Sequence, residues 1–495
     1  MKTLLLPLDE RPCNYNYPKM IGQSNKEIKL IMPEHSILGD KKTPTDVNKL
    51  EEFLLANAND ATNAVISIDM LVYGGLIPSR IHHQEQSELF KRLEVLKKLK
   101  EINPKMRIYA FCCIMRTPQY DSSDEEPDYY ADYGFALFRR KYLLDYEERH
   151  GLNGAEGAEL AGINIPQDII DDYDTRRDKN MLVNLEVVKY LEGGTIDFLI
   201  IPQDDSSPYG YTAIAQKQVI KAVEEKGLFL NCMIYPGADE VALTLLTRAY
   251  HDFKNIEPKV YPFYASVLGP TIIPKYEDRP MYESLKSHIR ACKARIVATP
   301  KEADVILAVN SPGKFMEETY DETLDITHSS YRNVLDFTLN IKNYIEEGFN
   351  VAVCDAALCN GGDKEMVRYL DELGVLDKII SYAGWNTHCN TLGTTLAEAF
   401  TGGRENKHNL LYRLIEDICY QAMLRNDVTE QVEDELGVQY FDISSKQKEV
   451  EEIVRKRLEE TYSTLKISKN YPVKINELTL PWKRMFEIGM KLELK

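Results

Sequence analysis

A parallel α/β fold, barrel-like in its N-terminal part, is the architecture this chain predicts, and three observations carry the prediction. Short apolar runs rich in Val, Ile, Leu and aromatics alternate with stretches of helical periodicity. Several of those runs end in charged or amide residues at corresponding positions. The length of 495 residues, with an ordinary apolar fraction, supplies core for roughly two or three domains.

Taken in order, the strands predicted are Thr3 to Leu8, Ile28 to Met32, Ala64 to Ile68, Arg107 to Ile114, Asp197 to Ile201, Leu230 to Tyr235, Val260 to Tyr264, Val305 to Val309, Val351 to Cys354 and Ile379 to Tyr382. Between the third and fourth, Leu89, Leu93, Leu96 and Leu99 recur at helical spacing, as a crossover helix requires. These elements predict a barrel-like β/α catalytic unit at 1–266 and a smaller α/β unit at 267–403 that contributes to the site. After Gly402-Gly403 the pattern changes to charged helical stretches, which predict a helical tail at 404–495 without strands, suited to capping or to an oligomer contact. The Gly- and Ala-rich segment Gly151 to Gly162 reads as a joint between two helices.

Charge narrows the classes of partner. A formal net charge of -18, with no long basic run, opposes binding to phosphate backbones and anionic membranes. The first residues, M-K-T-L-L-L-P-L-D-E-R-P, are interrupted by Pro7 and by charges before a signal-peptide core is complete, and no run is long enough to span a bilayer. Nine Cys without a C-x-x-C pair, several inside apolar runs, fit buried thiols in a reducing compartment. A cytoplasmic protein acting on a small molecule or carbohydrate, with neither nucleic acid nor membrane as partner, is the expectation.

The candidate site is built from strand ends. L-L-L-P-L ends in Asp9, Glu10 and Arg11; V-I-S-I ends in Asp69, with Tyr73, Gly74 and Gly75 beyond it; A-F-C-C-I-M ends in Arg116. F-L-I-I-P-Q ends in Asp204 and Asp205, M-I-Y-P-G-A in Asp239 and Glu240, and I-S-Y-A-G-W in Asn386. In parallel β/α folds such ends share one face, where ligands bind. So many ends converge more easily in a closed barrel, which is why a barrel is expected. The competing reading is that each acid caps the helix that follows.

Adjacent carboxylates in a partly desolvated pocket split their pKa values and supply an acid and a base near neutral pH. Asp204 and Asp205 are the principal pair, with Asp239 and Glu240 as the second. Four such groups suit glycoside hydrolysis, whose transition state is cationic; the same oxygens suit Mg²⁺ or Mn²⁺. Asp9, Glu10, Arg11, Asp69, Tyr73, Arg116, Tyr209, Trp385, Asn386 and Asn390 are the substrate-binding candidates, Trp385 because an indole matches the C–H face of a sugar. Asp355, Asn360 and Asp363 mark a further polar strand end. Arg176, Asn180 and Asn184 form a helical stripe read as a solvated face, and D-S-S-D-E-E-P-D at Asp121 to Asp128 reads as a solvated loop. Nucleotide loops, serine-hydrolase elbows and zinc-peptidase helices have no matching motif.

Together, P-L-D-E-R-P-C-N at Pro7 to Asn14, S-I-D-M-L-V-Y-G-G at Ser67 to Gly75, D-D-S-S-P-Y-G at Asp204 to Gly210, G-A-D-E at Gly237 to Glu240 and Y-A-G-W-N-T at Tyr382 to Thr387 resemble a bacterial family known as domain of unknown function four-one-two-seven. The resemblance runs from the first strand to about Gly403. It implies that these motifs form the site and names no reaction. His388 and Cys389 stand where small residues are expected, so neither is assigned as a ligand.

The expectation is a glycoside hydrolase-like enzyme without cofactor or resident metal, using Asp204 and Asp205 as acid and base, with an N-acetylated sugar as one candidate substrate. The alternatives are a hydrolase or lyase dependent on Mg²⁺ or Mn²⁺, and a non-catalytic sugar or metabolite binding protein.

Overall fold

The computed structural model describes residues 1–402 and 407–494. Each strand expected from the sequence forms, its ends shifted by at most three residues. The chain divides into two compact units, one of Met1–Glu10, Glu27–Leu245 and Tyr276–Asp278, the other of Arg11–Lys26, Leu246–Lys275 and Arg279–Lys495.

The first unit is built on six parallel strands: β1 (Lys2–Leu6), β2 (Lys29–Ile31), β3 (Asn63–Ser67), β4 (Arg107–Phe111), β5 (Phe198–Gln203) and β6 (Cys232–Pro236). Their order across the sheet is β2-β1-β3-β4-β5-β6. Leu4, Leu5, Val65, Ile66, Phe111 and Ile200 are wholly buried, which is why these strands read as continuous apolar runs and not as alternating ones. The α/β class and the parallel sheet are as expected. Closure into a barrel is not found among the described residues, because the hydrogen-bonded order begins at β2 and ends at β6. An open sheet of this order has its switch point between β1 and β3.

The crossover between β3 and β4 is two helices, Gln86–Leu93 and Val95–Ile102, that bury Leu89, Leu93, Leu96 and Leu99. Between the helices Tyr130–His150 and Gln167–Glu192, which the Gly- and Ala-rich segment joins as expected, residues Gly154–Gly162 form a short helix of their own, begun by a capping box between Asn153 and Glu156. Two reciprocal hydrogen bonds at its start outweigh its glycines.

In the second unit, β7 (Lys259–Tyr264), β8 (Arg295–Ile296), β9 (Val305–Asn310), β11 (Val351–Asp355) and β13 (Ser381–Ala383) form a second parallel sheet, while β10 (Glu317–Glu318) pairs with β12 (Leu358–Cys359) outside it. The order, β13-β11-β9-β7-β8, repeats the pattern of the first sheet one strand shorter. From Lys407 the chain is helical to Leu436, partly as a π-helix at Leu414–Leu424, and again over Gln447–Ser463. It then forms an antiparallel ribbon, β14 (Val473–Thr479) with β15 (Gly489–Leu494), where no strand was expected. A register shift between Ile475 and Glu477 puts Ile475 and Leu478 both inward. The bulge breaks the alternation by which a strand is recognised.

All nine Cys are buried. No helix among the described residues is long and apolar enough to cross a membrane.

Candidate functional site

In the first sheet β3, β4 and β5 are neighbours, so their carboxyl ends bring Asp69, Arg116 and the Asp204-Asp205 pair to one edge without barrel closure. Adjacency in an open sheet achieves what a barrel was expected to provide.

Asp69 lies in the short helix Ile68–Tyr73 that follows β3, and it does not cap that helix. Ser67 does so, accepting from the Met70 amide at 3.1 Å. The Asp69 carboxylate instead accepts from the Cys113 amide at 2.9 Å. Burial, opposed by the hydrogen bonds from Cys113, lifts its pKa to about 6. At the end of the helix Tyr73 is 5% exposed, and its hydroxyl has no hydrogen-bond partner among the described residues. Its ring packs 4.7 Å from that of His82. Gly74, at φ 87, turns the chain where a Cβ would stand 2.8 Å from the Thr45 backbone, so this position requires glycine.

Asp204 and Asp205 each meet an arginine. Arg80, from the helix Leu76–Ile81, donates to Asp204 at 2.6 Å, and Arg116 donates to Asp205 at 3.2 Å. The same guanidiniums hold two glutamates of the acidic loop. Arg80 Nη1 donates to Glu125 at 3.0 Å and to Glu126 at 3.3 Å. Arg116 Nε donates to Glu126 at 2.7 Å, and its Nη2 lies 2.9 Å from Glu125. The loop is therefore not solvated throughout: the Glu126 side chain is 1% exposed, whereas Asp128 is fully exposed beside Lys42. Paired charges hold the buried acids in place, which a reading of composition cannot detect.

Asp205 adopts φ +40, a left-handed conformation that costs a non-glycine residue energy and is held by its surroundings. Burial and the neighbouring Asp204 charge push its pKa up to about 7 against the pull of Arg116 and Arg80. Asp204, Asp205, Glu125 and Glu126 thus all meet the guanidiniums of Arg80 and Arg116.

The stripe on the helix Gln167–Glu192 supports this cluster and is buried, contrary to the solvated face expected. Arg177 donates to the carbonyls of Met115 at 2.7 Å and Arg116 at 2.8 Å, and Asn180 donates to the Ser79 carbonyl at 2.8 Å. Arg176 donates to the His82 carbonyl at 2.9 Å, and Asn184 to that of Cys113 at 3.5 Å. These carbonyls follow β4 and flank Arg80, where no sheet partner remains, and the stripe satisfies them.

The other predicted residues have varied placements. Asp9 and Asp239 are buried. The Glu10 carboxylate accepts from the Lys41 amide at 2.8 Å. Glu240 folds back on its own turn, accepting from the Ala238 amide at 3.0 Å, beneath a Gly237 whose Cβ would lie 2.3 Å from its oxygen. Tyr209 is half-buried, edge-on to Tyr142 at 5.2 Å and Tyr146 at 4.9 Å, and its hydroxyl is 3.0 Å from His150 Nε2.

Arg11, Trp385, Asn386 and Asn390 belong to the second unit. The Arg11 guanidinium lies 4.5 Å over the Trp482 ring. Trp385 is 4% exposed, edge-on to Tyr17 at 5.6 Å, and donates from Nε1 to Thr394 at 3.2 Å. Its indole is packed and does not present a face for a sugar. Asn390 is also buried, and Asn386 turns the chain at φ 50. The strand ends here form a closed network: Asp355 accepts from Asn310 Nδ2, the Asp363 amide and the Tyr382 hydroxyl, each at 2.8 Å. Arg332 pairs with Asp363 and donates to Asn310 at 2.7 Å. A Cβ on Gly362 would strike the Tyr382 hydroxyl at 2.2 Å and Asp355 at 2.8 Å, so the space around this acid is already filled.

Sequence reasoning missed Arg80, Glu125 and Glu126. Arg80 stands in the last turn of L-I-P-S-R-I, a charge in an otherwise uncharged and mostly apolar stretch; that oddity was the available signal.

The model of the family described as Protein of unknown function (DUF4127) matches residues 3–491, and the chain belongs to that family. Comparison with curated proteins found no match. Among solved structures the chain is similar to aspartate transcarbamoylase from Trypanosoma cruzi in complex with phosphate, at 10% identity and a TM-score of 0.15, over 67% of this chain and 98% of that one. A likeness at that level says nothing about fold or chemistry.

Proposed function

We propose that this member of the family is a glycosidase-like hydrolase, with Asp205 as the proton donor and Asp204 as the second acid of the pair. The observation that carries the reading is Asp205 itself, strained at φ +40 and pushed up to about 7 beside a second aspartate that Arg80 holds at 2.6 Å. A carboxyl that titrates near neutrality can deliver its proton to a leaving-group oxygen and recover it. Carboxylates gathered at this strand edge suit the positive charge that builds on a sugar ring as the glycosidic bond breaks. Neighbouring aspartates on one loop fit a substrate-assisted course, in which an N-acetyl oxygen of the sugar is the nucleophile. The guanidiniums already on Asp204 and Asp205 support acid–base work over metal coordination, since a cation there would have to displace them. The buried thiols support a reducing compartment such as the cytoplasm.

The test is turnover of chromogenic glycosides, N-acetylhexosaminides included, with and without a chelator. Turnover that resists the chelator and is lost in Asp205→Asn is the expected result. Turnover abolished by the chelator would make the carboxylates ligands of Mg²⁺ or Mn²⁺. Saturable sugar binding without product would make the chain a binding protein.

A further inference from the structure

The acidic loop at 121–128 has no part in the reaction as described, yet it sends two carboxylates into the cluster. Glu125 Oε2 lies within 3.0 Å of both guanidiniums, through Arg80 Nη1 and Arg116 Nη2. Glu126 Oε1 likewise meets Arg80 Nη1 at 3.3 Å and Arg116 Nε at 2.7 Å. Each glutamate bridges the two arginines whose remaining nitrogens grip Asp204 and Asp205. A guanidinium is a rigid planar fork, so whatever holds one edge fixes where the other edge points.

We propose that Glu126, seconded by Glu125, is a positioning residue for the acid pair, orienting Arg80 and Arg116 and offsetting the positive charge they bring to Asp204 and Asp205. The inference rests on the reading of that pair as acid and base. Glu126 is the more deeply buried of the two glutamates, at 1% against 16% exposure, and the more firmly attached to Arg116. The groups facing Asp205 are Asp204 on its own loop, Arg116 and Tyr120 after β4, Arg80 on the helix Leu76–Ile81, and Glu125 beside Glu126. Removal of the Glu126 charge leaves more of the guanidinium field for Asp205 and takes away a like charge. Both changes favour the ionised form of Asp205.

The experiment is a carboxyl carbon NMR titration of protein labelled at aspartate, the Asp205 signal being assigned by its loss in Asp205→Asn. In Glu126→Gln the Asp205 midpoint is expected to fall by on the order of one pH unit. Glu126→Asp, which keeps the charge, returns it toward the native value. Asp128→Asn, at a fully exposed residue of the same loop, leaves it in place. An unchanged midpoint in folded Glu126→Gln protein overturns the proposal, since a loop that only braces the fold would lower thermal stability without moving this titration. Should Glu126→Gln fail to fold, Glu125→Gln is expected to lower the midpoint too, and an unmoved midpoint there is equally fatal. The readout needs no substrate. Failure to turn over any glycoside would remove the assigned reaction and leave this result standing.

Discussion

Asp205, just beyond β5 in the first unit, and Asp355, the last residue of β11 in the second, are both pushed up to about 7 by burial and a neighbouring aspartate, and they differ in how they are held. Asp355 accepts three hydrogen bonds at 2.8 Å in space where not even a Cβ can be added at Gly362. Asp205 has one guanidinium contact at 3.2 Å, a strained backbone and 15% side-chain exposure. A raised pKa is common to both and therefore does not by itself mark a site. What separates them is accessibility and strain; orphaned polar atoms do not, since Tyr73 and Glu126 Oε2 in the first unit lack hydrogen-bond partners among the described residues. Arg332 Nε shares that lack in the second unit, within a network otherwise closed.

The sharpest way to break this contrast is to neutralise each aspartate in turn. Asp205→Asn is expected to reduce turnover by roughly 10²-fold or more, the usual share of a general acid, with the fold retained in circular dichroism. Asp355→Asn reverses the pattern: one acceptor oxygen cannot serve three donors, so denaturant unfolding should show a loss of about 2–3 kcal/mol, with activity per folded molecule intact. Equal loss of turnover in the two variants would erase the distinction.

Tyr73→Phe probes the unsatisfied hydroxyl. Stability should stay level or rise by about 1 kcal/mol, because a buried polar group without a partner is removed, while KM increases if that hydroxyl serves the substrate. Trp385→Phe should cost about 1 kcal/mol for its hydrogen bond to Thr394, and sugar affinity measured by calorimetry should not change.

The pH profile reads the raised acids together. Asp69 near 6 and Asp205 and Asp355 near 7 all bind their protons more tightly folded than unfolded, as do two glutamates that burial pushes up to about 8, Glu398 in the helix His388–Thr401 and Glu416 in the π-helix. Stability therefore falls as pH rises from about 4, the unfolded value, through that range. Asp363 runs the other way: burial alone would raise it, but Arg332 and its hydrogen bonds win, so its contribution is lost only as pH falls through the carboxylate range. Scanning calorimetry across pH should show Tm declining toward pH 8, and Asp205→Asn should flatten the portion below pH 7.

Much of the fold was legible in the residues because parallel strands are buried on both faces and leave apolar runs with no other explanation. The β14–β15 ribbon escaped because its bulge interrupts the alternation at Ile475. In the site, Asp69, Arg116, Asp204 and Asp205 were visible as charges abutting such runs. The same rule also selected Trp385, which is packed: adjacency to a strand end does not tell where a side chain points. Arg80 and Glu126 lie outside any strand end and come to the cluster through a helix and a loop, positions that only folding brings together.

The sequence by itself determined the α/β class, the places where strands end and the supply of acids at those ends, since all three follow from local apolar periodicity and residue type. Tertiary structure decided that the first sheet stays open from β2 to β6, that Arg80 and Arg116 neutralise part of the acid cluster, and that the stripe Arg176, Asn180 and Asn184 is buried support and not surface. Those outcomes depend on which distant groups share a low-dielectric space, and a charge in such a space is worth what its neighbours make it.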